Sequence, residues 1–149
     1  MGMTPAQAAG PKACVMPHVA GLGTIDNVCN TWDTYYYSGT VGENRAIEGA
    51  HVTIAGLGRV CVQAHLRNYG WQDERCSSDG YAIWVGTSGE NRPMEALRIR
   101  LPDGGIVKAR AHVQNEGWGG EAVGSYVQIG TVGKALNLEA VAIVPAAAP

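Results

Sequence analysis

Aromatic rings and short polar side chains gather in a few places along this chain. Trp32, Tyr35, Tyr36 and Tyr37 fall within six residues and enclose Asp33, while Trp84 and Tyr126 stand before later glycine turns. A flat ring can stack on the C–H face of a sugar, and a nearby carboxylate or amide can bridge its hydroxyls. The candidate ligand-binding set is therefore Trp32, Asp33, Tyr35, Tyr36, Tyr37, Asn68, Trp71, Asp73, Asp79, Trp84, Asn115, Trp118 and Tyr126. A solvated turn with some rings buried is the competing reading. For Trp71 and Trp118, which lie at glycine-flanked bends, a core role is favoured. A three-fold β fold needs a bulky apolar layer, and this chain has no phenylalanine.

Other side chains with chemical potential recur at fixed spacing. His18, His65 and His112 are equivalent by repeat, as are Glu48, Glu95 and Glu139. Three converging histidines would make a metal site, but equivalent residues of a repeat usually stand apart around the axis, so no metal is expected. Each glutamate opens an apolar run and needs a partner if buried. The expected partner is the histidine of its own repeat or the amides of the neighbouring glycine turn, with Arg45 and Arg92 also available in two copies. No Gly-x-Ser-x-Gly, His-Glu-x-x-His, phosphate-loop or dinucleotide fingerprint is present. Paired carboxylates leave no such signature, yet no polar insertion breaks the repeat. No catalytic residue and no cofactor are expected.

The elements that must position these residues form three copies of one unit. Gly39-Thr40-Val41-Gly42, Gly86-Thr87-Ser88-Gly89 and Gly130-Thr131-Val132-Gly133 each precede a glutamate by six residues. Copies one and two superpose with a constant offset of 47, as His18 on His65 and Glu48 on Glu95. Copy three keeps that offset to Trp118 and then changes to 44, so Gly124 matches Gly80 and three residues are expected to be missing just after the tryptophan. Cys14 and Cys29 are 15 apart and map onto Cys61 and Cys76, also 15 apart, whereas copy three has neither. Four cysteines allow three connectivities. Their paired loss within one repeat favours Cys14–Cys29 and Cys61–Cys76, with free thiols as the alternative.

Val107 to Gln114 alternates apolar and polar with period two, as a half-buried strand does. On the end strand Glu95, Leu97, Ile99 and Leu101 are expected on one face, and Met94, Ala96, Arg98 and Arg100 on the other. Pro102-Asp103-Gly104-Gly105 is a strong turn signal. The end strand of one copy is thus expected to pair with the first strand of the next. Residues 1–12 read as a flexible tail and 13–146 as one domain of three repeats, about 13–57, 58–104 and 105–146. The fold class is all-β, three-fold pseudo-symmetric and β-prism-like, with a β-trefoil as the alternative.

The His-x-x-Asn-x-Gly-Trp stretch, followed by Gly-Thr-x-Gly and Glu-Ala-x-x-Ile, resembles the clostridial hydrophobic W repeat of secreted and surface proteins of Gram-positive bacteria. It is carried by Ala64 to Trp71 with Gly86 to Ile99, and by Ala111 to Trp118 with Gly130 to Ile143. Copy one departs, with Thr24 in place of the tryptophan and Gly21-Leu22 in place of the asparagine stretch. The resemblance implies an extracellular location and a role in attachment, and no known reaction.

A net charge of −2 offers no electrostatic footprint for nucleic acid, and no apolar run is long enough for membrane insertion. The expected function is that of a secreted, lectin-like module binding a cell-surface or cell-wall glycan through up to three weak sites. A protein-interaction or scaffold subunit of an extracellular complex is the alternative.

Overall fold

Strands form wherever the alternation or the glycine turns place them in the computed structural model, which describes residues 10–146. Copy one contributes β1 (Lys12–Val19), β2 (Gly23–Thr24), β3 (Val28–Asn30), β4 (Ser38–Gly39) and β5 (Ile47–Ala55). Copy two contributes β6 (Val60–Leu66), β7 (Gly70–Trp71), β8 (Arg75–Ser77), β9 (Ile83–Gly86) and β10 (Met94–Arg100). Copy three contributes β11 (Val107–Val113), β12 (Gly117–Trp118), β13 (Ala122–Gly124), β14 (Tyr126–Gly130) and β15 (Leu138–Pro145). No helix occurs among the described residues. The proposed tail falls largely on residues 1–9, which lie outside the described residues, and Lys12 is already the first residue of β1.

Three five-stranded antiparallel sheets result. The first runs β2-β1-β5-β9, the second β7-β6-β10-β14 and the third β12-β11-β15-β4, with β3, β8 and β13 as further partners of β1, β6 and β11. Three separate sheets around one shared core make the prism arrangement rather than the trefoil's barrel. Among the described residues the core holds no aromatic ring and is built mainly from aliphatic residues such as Val52, Ile54, Val62, Leu97, Ile99, Val141 and Ile143. No tryptophan enters it, which overturns the core role expected for Trp71 and Trp118. Three inner rows of Val, Ile, Leu and Ala already meet at the axis and leave no room for an indole.

The pairing expected between copies is also corrected. Each end strand pairs with the first strand of its own copy and with the short strand before the Gly-Thr turn of the next: β5 with β1 and β9, β10 with β6 and β14, β15 with β11 and β4. The links at 56–59 and 101–106 turn corners between sheets. A corner lets the fully buried Ile54 and Val60 face the same core from two sheets, whereas a flat hairpin would put both in one plane. Asp103 fastens these corners together: it accepts from the Arg59 guanidinium at 2.6 Å and from the Arg59 backbone N–H at 2.9 Å. That pairing holds its carboxyl down at about 2.

Both disulfides are formed as the repeat arithmetic indicated, Cys14–Cys29 and Cys61–Cys76. Each joins directly opposed residues of an antiparallel pair. Lys108 and Val123 occupy the same register in copy three. The offset of 47 therefore holds through Val123 and Gly124, so Gly124 is the counterpart of Ser77 and not of Gly80. The missing residues lie between β13 and β14, where Ser125 alone connects strands that residues 78–82 connect in copy two.

Candidate functional site

The Gly-Thr turn and the glutamate form a lock between neighbouring copies. Each glutamate is the extra residue of a β-bulge, for the register slips between His18 and Val19, between Met94 and Ala96, and between His112 and Val113. The slip reverses the strand's facing. Met94 therefore joins Leu97 and Ile99 in the core, and Glu95 leaves the face expected of it. The freed carboxylate meets the histidine: Glu95 Oε1 lies 3.0 Å from His65 Nδ1 and Glu139 Oε1 lies 3.0 Å from His112 Nδ1. In copy one Glu48 and His18 are 3.7 Å apart. Glu95 also accepts from Arg67 Nε at 2.6 Å. Arg45 and Arg92 serve elsewhere, donating to the carbonyls of Ala20 and Arg67.

The turn of the following copy closes over this bulge. Thr87, Thr131 and Thr40 donate their backbone N–H to the carbonyls of Glu48, Glu95 and Glu139 at 2.8, 3.1 and 3.1 Å. Gly86, Gly130 and Gly39 precede them with φ of 87, 88 and 108°. A Cβ at any of these would collide with the same glutamate's carbonyl. The three histidines stand on three different sheets, each beside its own glutamate.

With the lock common to all copies, the outer faces carry the differences. One row of residues crosses each sheet next to the shared histidine. It reads Met16, His51 and Trp84 on the first sheet and Gln63, Arg98 and Gln128 on the second. On the third it reads Arg110 and Ala142, and Tyr37 leads into β4 beside them. On the first sheet Trp84 lies over Gly49, where a Cβ would strike the indole, and meets His51 at 4.9 Å. On the second sheet Trp71 stands edge-on to His65 at 5.0 Å. Arg98 lies over the same indole at 3.9 Å and donates from Nε to Gln128 at 2.9 Å.

The third face is built differently. Alternation along β11 buries Val107, Ala109, Ala111 and Val113 and turns Lys108, Arg110 and His112 outward. Trp118, opposite His112, is edge-on to it at 5.4 Å. Copy one then adds its loop. Tyr37 meets Trp118 edge-on at 5.7 Å, and the Arg110 guanidinium sits 4.9 Å from the Trp118 ring and 5.1 Å from the Tyr35 ring. Lys108 Nζ lies 5.8 Å from Tyr35. Burial pushes the Tyr35 phenol up to about 12, with the Glu121 carboxylate adding to the effect and Arg110 opposing it. The hydroxyl itself is buried beside the Glu121 carboxylate.

Asn30 holds that loop in place. It is 2% exposed. Its Nδ2 donates to the carbonyls of Tyr36 and Ile143 at 2.9 and 3.0 Å, and its Oδ1 accepts from the Tyr36 N–H at 2.6 Å. The loop is thereby pinned to β15 across the sheet boundary.

Of the residues singled out from sequence, Tyr35, Tyr37 and Trp118 come together. Trp32 and Tyr36 share their loop and are 57% and 63% exposed. Asp33 accepts from Thr31 Oγ1 at 2.6 Å, and Asp79 accepts from the Gly56 N–H at 2.7 Å, bracing a corner. Asn68 and Asn115 take φ of 61 and 64° at their turns, the left-handed conformation that Gly21 adopts in copy one. Trp71, Trp84 and Tyr126 lie on the other two faces, and Asp73 is exposed beyond β7. Sequence reasoning missed Arg110, Lys108, Asn30 and Arg67. The alternation that placed His112 outward places Lys108 and Arg110 beside it, and that was the available signal.

Three antiparallel sheets, strand exchange around a closed ring and a repeated Trp–His–Glu face define an all-β module of internal repeats. Residues 65–103 and 112–144 each match the family described as Clostridial hydrophobic W, so the chain belongs to that repeat family. The family and the two disulfides point to an extracellular repeat module. No curated protein and no solved structure matches the chain.

Proposed function

We propose that this protein is a non-catalytic, secreted carbohydrate-binding module that attaches to a cell surface or cell wall through the outer face of its third sheet. The observation that carries this reading is the platform of Trp118, Tyr37 and Tyr35, assembled from two different copies and held by buried Asn30. Tyr37 is 48% exposed, so a sugar can approach its face. The edge-on contact with Trp118 leaves two ring faces at an angle, a shape suited to one saccharide unit seated across both. On the second face Arg98 lies closer over Trp71, at 3.9 Å against 4.9 Å for Arg110 over Trp118, whereas Tyr37 stands beside Trp118 on the third. One site is favoured over three.

Binding to purified Gram-positive cell walls and to a glycan array tests the reading. Tyr37→Ala and Trp118→Ala are expected to abolish retention, with Trp71→Ala retaining it. Silence on every glycan, together with a stoichiometric protein partner in a pull-down, would instead favour an interaction module, since exposed Trp32 and Tyr36 also suit a protein interface.

A further inference from the structure

We infer that the third face selects an acidic saccharide, one bearing a carboxylate or phosphate, and that Arg110 is the residue that reads the acid. This rests on the carbohydrate reading above and specifies its ligand.

Six buried side-chain polar atoms lack a hydrogen-bond partner among the described residues. Three are the equivalent hydroxyls of Thr40, Thr87 and Thr131 and belong to the lock. Of the others, Arg110 Nε falls in this cluster, beside the Tyr35 hydroxyl that the Glu121 carboxylate faces. A guanidinium offers five donors, and leaving a buried one unmade is costly. Arg98, the arginine stacked on the second face, shows the usual solution, for its Nε is accepted by Gln128. On the third face Ala142 and Tyr37 stand where Arg98 and Gln128 would be, so the protein supplies no acceptor.

Charge points the same way. Neither Arg110 nor Lys108 forms an ion pair among the described residues, whereas Arg59, Arg67 and Arg100 each have a carboxylate. Glu121 and Glu139 are the nearby acids. Glu121 stands beside Tyr35, and Glu139 is engaged by His112. The rings hold the guanidinium plane in place without neutralising it. A planar cation fixed between sugar-stacking rings matches an anion's two oxygens with little further ordering. Copies one and two carry Met16 and Gln63 at the same position, so the feature belongs to one face alone.

The test uses calorimetric titration with galacturonate oligosaccharides, their methyl esters and a glycerol-phosphate polymer. The acidic ligand is expected to bind about tenfold more tightly than the ester, an advantage that falls with added salt. Arg110→Gln installs the side chain that the second sheet already tolerates, so the fold is expected to survive. It should erase the preference, giving acid and ester a single affinity, and Arg110→Lys should restore only part of the difference. Whether the carboxylate or the phosphate polymer binds better identifies the acid. Equal affinity for acid and ester, in the intact protein, would overturn the inference and leave the carbohydrate reading standing. Absence of binding by all three, with no other glycan retained, would overturn both.

Discussion

The second and third outer faces begin from the same parts and end differently. Both have a histidine 3.0 Å from a buried glutamate and a tryptophan edge-on to that histidine, at 5.0 Å on one face and 5.4 Å on the other. On the second face the arginine comes from the end strand, lies on the indole and donates to Gln128. On the third the arginine comes from the first strand, and alanine takes the place opposite it. Ala142 is only 2% exposed although it lies on the outer face, directly opposite Arg110. Moving one cation across a strand pair thus leaves Trp71 with a single arginine for company and sets Trp118 among an arginine and a tyrosine. The lock sets the frame, and the row beside it sets what the frame presents.

Copy three lacks the disulfide that the other two copies carry. Lys108 and Val123 hold the register of Cys61 and Cys76. Lys108→Cys with Val123→Cys is expected to form a third bridge worth about 3 kcal/mol, read as a higher denaturation midpoint that disappears under reductant. The same variant removes one platform cation and should weaken acidic ligands alone. A smaller effect, of about 1 to 3 kcal/mol of lost stability, is expected for Asn30→Ala, which strands the Tyr36 amide and two carbonyls. Hydrogen exchange should then accelerate over residues 31–37 and leave the second face unchanged. Uniform acceleration across both faces would show that the loop is not a separate unit.

Next comes the turn of copy three. Ala135 adopts φ of 54° where Asn44 and Asn91 stand in the other copies, at 56 and 53°. Ala135→Asn is expected to gain about 1 kcal/mol, since alanine pays for the left-handed region and asparagine tolerates it. Thermal unfolding measures it. The smallest effect is on pH dependence. The Tyr35 phenol is raised from 10.0 to about 12 in the folded chain. Its contribution is fully present below pH 10 and is lost as the pH rises toward 12, because the folded state holds the proton longer. Ultraviolet titration should show one late tyrosine, absent in Tyr35→Phe.

Much of the frame was legible in the residues. The repeat, the strands, both disulfides and the histidine–glutamate pairs of copies two and three follow from spacing, because period-two alternation and burial of a carboxylate each demand a definite partner. Three features were not. The bulge at Glu95 reverses the strand's facing without any break in the apolar run. The loss of three residues before Tyr126 can be placed correctly only when Val123 is seen opposite Lys108. Trp71 and Trp118 read as core residues because nothing in sequence tells an indole on the outer face from one inside.

The repeat itself determined the class of fold, the glycine turns and the cross-links, all of which depend on residues close in sequence or equivalent by copy. Only the closing of the ring decided which strand each end strand meets. That closure brings Tyr35 and Tyr37 of copy one onto Arg110 and Trp118 of copy three, more than seventy residues away. Such a meeting leaves no local signal, since its cause is the packing of three sheets on one core rather than any preference of the residues that meet.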